Sequence, residues 1–101
     1  MNPIIQERID EIREICQAYK VRNLYSFGSV NTLSFRDDSD IDLLLSFKDI
    51  SIEEYTNNYF DLHIRFEELF HRSVDLITMN SLSNPYFIKS IDQTKTLIYE
   101  G

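Results

Sequence analysis

Cysteine, glycine, proline and tryptophan are nearly missing from this 101-residue chain, which holds one, two, two and none of them. A single thiol, Cys16, closes no intramolecular disulfide and supplies no cysteine-based zinc site. So few glycines and prolines leave little material for irregular loops, and regular elements joined by short connections are expected. No apolar run approaches the roughly 18 residues that a membrane-spanning helix needs. Ile4 and Ile5 are followed at once by Gln6, Glu7 and Arg8, so the N-terminus does not read as a secretory signal. The expected address is cytoplasmic, with no membrane partner. Positive charge is scarce as well: ten Lys and Arg stand against seventeen Asp and Glu, a formal net charge of −7. A surface of that sign repels a phosphate backbone, so direct nucleic-acid binding is not expected. Divalent cations or a basic protein suit it better.

What the chain does contain is core material. Hydrophobic residues make up 43% and aromatic residues 13%, far from the profile of a disordered chain. One domain over residues 1–101 is expected, large enough to bury about two-thirds of its unfolded surface. Ile5, Ile9, Ile12, Cys16 and Tyr19 recur at steps of three and four, so Pro3 to Lys20 reads as one amphipathic helix with Pro3 at its start. Asn23 to Phe27 reads as a strand stopped by Gly28, and Ser29 to Ser39 as a loop or short helix. Ile41 to Phe47 is an apolar run of strand length. Ser51 and Glu54 form a capping-box pattern ahead of a helix reaching about Phe70. Ser73 to Thr78 is β-branched and strand-like. Asn84-Pro85 opens a last helix to about Asp92, and Thr96 to Tyr99 adds a strand or turn. The order α-β-(α)-β-α-β-α predicts an α/β (α+β) fold, a small sheet covered by helices.

Chemistry concentrates between Gly28 and Asp42. A glycine directly after a strand lets the backbone bend sharply and lets a ligand approach, and the following N–H groups and the Ser29 hydroxyl suit a phosphate. Alone, Gly-Ser after a strand is usually only a turn. Asp40 and Asp42 lie two apart, so on a strand their carboxylates share a face, about 6–7 Å apart at the backbone. Ile41, Leu43, Leu45 and Phe47 take the other face. Paired like charges on an apolar strand are costly unless a cation neutralises them, and a hard, oxygen-ligated ion such as Mg²⁺ fits. The competing account is a solvated acidic strand end, since Asp37 and Asp38 continue the charge; for the dyad by itself the two readings are even. An EF-hand is excluded, because its sixth and twelfth positions would hold Leu43 and Asp49 instead of Gly and Glu.

Asp75 tips the balance if its strand neighbours that of Asp42. Three carboxylates can bridge two metal ions about 3.5–4 Å apart, the clamp used for in-line displacement at phosphorus. Asp75 would then be a metal ligand or the general base for the attacking hydroxyl. His63 and His71 have no ligand spacing and read as helix-surface and helix-end residues. Cys16 lies on the packing face and reads as inert core. Tyr55, Tyr59, Tyr86 and Phe87 are either core or an exposed contact patch.

Gly28-Ser29, then Asp40-Ile41-Asp42, then Val74-Asp75-Leu76 together resemble the signature of the DNA polymerase β-like nucleotidyltransferases. The size and the Leu97-Ile98-Tyr99-Glu100 ending are similar to the minimal nucleotidyltransferase (MNT) branch, typically encoded beside a HEPN-domain protein as a toxin–antitoxin pair. The resemblance covers nearly the whole chain, and it is the combined motif that is specific. It implies a nucleotidyltransferase fold, with Asp40, Asp42 and Asp75 as catalytic metal ligands for two Mg²⁺ ions. It implies that Gly28 and Ser29 hold the triphosphate, and that Arg36, Asp38 and Ser39 belong to the usual run before the first aspartate, with Arg36 and Ser39 on the nucleotide. Val30-Asn31-Thr32-Leu33 departs from the small, basic, glycine-containing stretch common in relatives. The implied activity is transfer of a nucleoside monophosphate, AMP from ATP, to a hydroxyl of a HEPN partner. The alternative is a non-catalytic antitoxin that neutralises its partner by contact.

Overall fold

The computed structural model describes all 101 residues. The N-terminal apolar stripe forms two helices, α1 (Pro3–Gln6) and α2 (Ile9–Ala18), where the periodicity predicts one. The break falls at Glu7 and Arg8, and Arg8 leaves helical geometry with φ −113° and ψ 13°. Its guanidinium donates to the Ile4 carbonyl at 3.0 Å and to the Leu69 carbonyl at 3.1 Å. Periodicity survives the break because Ile5, Ile12 and Cys16 still reach the core, all fully buried. Lys20, at φ 59°, turns the chain into strand β1 (Val21–Phe27).

Strand β2 (Ile41–Phe47) pairs antiparallel with β1, and helix α3 (Ile52–Phe70) then carries the chain across to β3 (Val74–Thr78). Because β3 runs parallel to β2, a long crossover is required, and α3 supplies it. Ser51 caps α3 by accepting the Glu54 N–H at 3.1 Å. Only half of the expected capping box forms, since the Glu54 carboxylate pairs with Lys20 at 2.6 Å. Helix α4 (Pro85–Thr94) is capped by the Asn84 side chain, and β4 (Thr96–Glu100) pairs antiparallel with β1. The four strands lie in the order β3-β2-β1-β4.

Helices α1, α2 and α3 cover one face of this mixed sheet. Ile5, Ile12 and Cys16 meet Leu62 and Phe66 there, over Leu24, Ile41, Leu43 and Leu45. Strict alternation along β2 would leave the opposite face to water. Instead Leu44 is buried there with Phe27 and Ile91, because α4 lies over that face. Asp42 therefore sits on a face that is apolar beyond it and acidic around it.

Candidate active site

Strand register sets two of the three aspartates side by side. Asp42 lies opposite Asp75 across the parallel β2–β3 pair, and opposite Phe27, the last residue of β1, on its other side. Strands are about 4.8 Å apart, so the Asp42 and Asp75 backbones are first neighbours. Asp40 is exposed just before β2 begins, Asp75 is exposed, and Asp42 is half-buried. The Asp42 carboxyl is pushed up from 3.8 to about 6, first by burial and then by the charges of Asp75 and Asp40. Asp75 and Asp40 thus both lie within electrostatic reach of Asp42.

Gly28 completes one wall. It follows β1 at φ +70°, a left-handed conformation that glycine takes without strain, and opens a short 3₁₀ turn over Gly28–Asn31. A Cβ added there would meet the Asp42 Oδ2 at 2.5 Å, so any side chain would invade the carboxylate. The Gly28 N–H donates to the Thr94 Oγ1 at 2.9 Å, and the Asn31 Nδ2 donates to the Ser26 and Thr94 carbonyls at 3.0 and 2.8 Å. Asn31, part of the departing Val30–Leu33 stretch, thus ties the turn to β1 and α4. Val30 is buried and Leu33 fully exposed. Ser29 is half-buried beside Gly28, with its carbonyl taken by Thr32.

Arg36 and Ser39 close a small turn on each other. The Arg36 N–H donates to the Ser39 Oγ at 3.0 Å, and the Ser39 N–H donates to the Arg36 carbonyl at 3.1 Å. The Ser39 hydroxyl is therefore already engaged, and exposed Arg36 makes no side-chain bond to the aspartates. Arg72, which sequence reasoning passed over, donates to the carbonyls of both residues and lies against Phe35.

Helix α3 holds the other wall through Tyr59, read from the sequence as core or contact patch, through His63, read as helix surface, and through Glu67, which the sequence did not single out. Glu67 accepts the Val74 N–H at 3.0 Å, His63 Nε2 meets the Val74 carbonyl at 2.7 Å, and Tyr59 donates to the Leu76 carbonyl at 2.6 Å. These groups bracket Asp75. The i, i+4, i+8 spacing of Tyr59, His63 and Glu67 was the available signal, though it names no partner. The Asp75 charge and burial raise the Tyr59 hydroxyl above its ordinary range, burial foremost. Tyr55 and Tyr59 line an apolar cleft of about 430 Å³ with Leu76 and Ile77, whereas Tyr86 on α4 is 85% exposed. His71 ends α3 in the left-handed conformation at φ 54°. Cys16 is fully buried and its thiol is pushed up to about 12, as inert core requires.

The donor set is chemically suited to a hard divalent cation, being all carboxylate oxygen with a surplus of negative charge. As they stand, no three His, Cys, Asp or Glu side chains are disposed to hold an ion. Convergence of these carboxylates on an ion would require rotation about their side-chain bonds.

No helix is long and apolar enough to cross a membrane. Residues 10–101 match the family described as Polymerase beta, Nucleotidyltransferase, a family that generally uses divalent metals. The candidate protein adenylyltransferase MJ1379 of Methanocaldococcus jannaschii is 33% identical over 99 residues, spanning 90% of this chain and 96% of its own. A second from that organism, MJ0126, is 34% identical over 94 residues, spanning 86% and 84%. Among solved structures, a toxin–antitoxin with AMP-PNP superposes with a TM-score of 0.71 at 18% identity, over 92% of this chain and 73% of that one. A tri-AMPylated Shewanella oneidensis HEPN toxin in complex with MNT antitoxin gives 0.66 at 17%, over 95% and 72%. These likenesses establish the shared fold. With its helices, mixed sheet and near-complete match, the chain belongs to the polymerase beta nucleotidyltransferase family.

Proposed function

We propose that this protein is a Mg²⁺-dependent nucleotidyltransferase that moves AMP from ATP to a hydroxyl of a partner protein, acting as the antitoxin of a HEPN toxin. The observation that carries the reading is the register that sets Asp42 beside Asp75, with Asp40 close by and Gly28 backed against the Asp42 carboxylate. Relatives named as protein adenylyltransferases support a protein acceptor, and structures of HEPN–MNT pairs support the partner class.

In this reading Asp40, Asp42 and Asp75 hold two Mg²⁺ ions, which supply charge neutralisation on the triphosphate and acidify the attacking hydroxyl. Gly28 and Ser29 receive the triphosphate, Ser29 through its N–H and hydroxyl and Gly28 through the turn it makes, its own N–H being held by Thr94. Arg36 and Ser39 border the nucleotide from the loop before Asp40. Asp75 is exposed and accepts the proton of the acceptor hydroxyl, directly or through water. The acceptor oxygen bonds to the α-phosphorus as the bond to the β-phosphate breaks, and pyrophosphate leaves. The acidic surface favours a basic partner, whose acceptor side chain enters from the β3 side of the sheet.

The test is intact-mass spectrometry of the co-purifying partner after incubation with ATP and MgCl₂. The partner should gain AMP with the wild type and gain none with Asp42→Asn, while both still bind it. A partner left unmodified by the wild type yet still neutralised would mean that contact alone is the function.

A further inference from the structure

We infer that Arg72 is a positioning residue for the nucleotide site, fixing the loop that leads into Asp40 against the strand that carries Asp75. The inference rests on the proposed nucleotide site and concerns how that site is held. Arg72 Nη1 donates to the Ser39 carbonyl at 2.9 Å and to the Arg36 carbonyl at 3.1 Å, and the guanidinium carbon lies 4.7 Å from the centre of the Phe35 ring. Three residues of one loop are thus gathered by one side chain. Ser39 is bonded directly to Asp40 in sequence, and Arg72 stands three residues before Asp75. The clamp therefore spans the two carboxylate-bearing segments at their entrances.

Apart from Phe35, which packs against the main core, the loop has little else to hold it. Between Thr32 and Asp40 its internal bonds are the Arg36–Ser39 turn, the Ser34 N–H to Thr32 contact, and a 3.5 Å Phe35–Thr32 bond. Residues 32–34 and 36–38 are all exposed. Only at Ile41, whose N–H donates to the Ser73 carbonyl at 3.1 Å, does the β2–β3 ladder begin. Asp40 falls between the ladder and the clamp. Three acidic side chains, Asp37, Asp38 and Asp40, lie near, yet Arg72 forms an ion pair with none of them. Both bonds leave from the one Nη1 nitrogen, and the guanidinium also lies against the Phe35 ring, a stacking face that lysine cannot reproduce. Loss of the clamp frees Asp40, Arg36 and Ser39 together, and small misplacements of such groups weaken substrate alignment steeply.

Two readouts test this, because a purely structural arginine would move only stability. In Arg72→Ala, thermal unfolding should shift by a few degrees, while the Kd for Mg–ATP measured by calorimetry should weaken about tenfold or more. Amide hydrogen exchange at residues 36–40 should accelerate while that of β2 stays slow. Arg72→Lys, which loses the stacked guanidinium, should remain weak; full recovery by lysine would mean that a cation at this place, not a guanidinium held on Phe35, was the contribution, and would overturn the inference. So would a folded Arg72→Ala that binds Mg–ATP within about twofold of the wild type. If Arg72→Ala fails to fold, Phe35→Leu removes the ring under Arg72 while keeping an apolar side chain against the core, and must show the same weakened Kd and faster loop exchange. If the wild type itself does not bind Mg–ATP, the proposed function falls, and the exchange arm still decides the clamp: unchanged protection at 36–40 refutes it.

Discussion

Asp42 carries a charge that its own neighbourhood disfavours. Its carboxyl titrates at about 6 in the folded chain against an ordinary value of 3.8. The folded value lies above the unfolded one, so the neutral acid favours the fold. That contribution is complete below 3.8 and is lost as pH rises through about 6. Asp42→Asn mimics the neutral form, so without metal it should unfold at a higher temperature than the wild type at about pH 7.5, with the gap narrowing towards about pH 4. Scanning calorimetry in a chelating buffer checks this; a gap that does not depend on pH would show that neither burial nor the neighbouring charges raise the Asp42 carboxyl. Asp40 and Asp42 could be singled out together because their spacing is local, although Asp40 falls just before β2 and not on it; that Asp75 neighbours Asp42 depends on strand order, which the sequence left as a condition. Arg72, Asn31 and Thr94 were not legible, because each acts on residues more than thirty positions away. No periodicity encodes such a pairing.

At the scale of elements, the sequence showed helix and strand existence better than their ends. Strand β2 begins and ends where its apolar run does, and Pro85 marks the start of α4. The N-terminal stripe misled because a helical break of two residues barely disturbs a three-and-four pattern, and the Arg8 bonds that hold it reach Leu69 at the far end of the chain's longest helix. Helix α3 serves as more than a cover for the sheet. Through Tyr59, His63 and Glu67 it completes hydrogen bonds on the outer side of β3. Glu67→Ala should therefore cost about 1–2 kcal/mol in urea unfolding, because it strands the Val74 N–H, whereas Glu67→Gln retains an acceptor and should be nearly neutral. Equal stability of the alanine variant and the wild type would show that water replaces the carboxylate at no cost.

Over the whole molecule, the net charge of −7 is a self-repulsion that compact folding intensifies. Added NaCl should raise the thermal midpoint by several degrees between about 20 and about 500 mM, as screening shortens the reach of each carboxylate. A midpoint that is flat or falls with salt would mean that specific ion pairs such as Lys20–Glu54 outweigh the general repulsion. The same charge was readable from composition alone, whereas the second packed face was not. Leu44 and Ile91 lie 47 residues apart in the chain, and nothing local announces that they meet.

The two borders of the sheet are finished differently. On β3, side chains from α3 and the Ser81 hydroxyl occupy backbone groups that face outward. On β4, no side chain hydrogen-bonds the backbone of Thr96–Glu100, and Leu97 stands 43% exposed. A sheet with one hemmed edge and one raw edge is a polar object: it can lengthen in one direction only. Any strand added to this protein, whether lent by another chain or recruited in misassembly, would therefore join at β4, the border separated from Asp75 by the full width of the sheet.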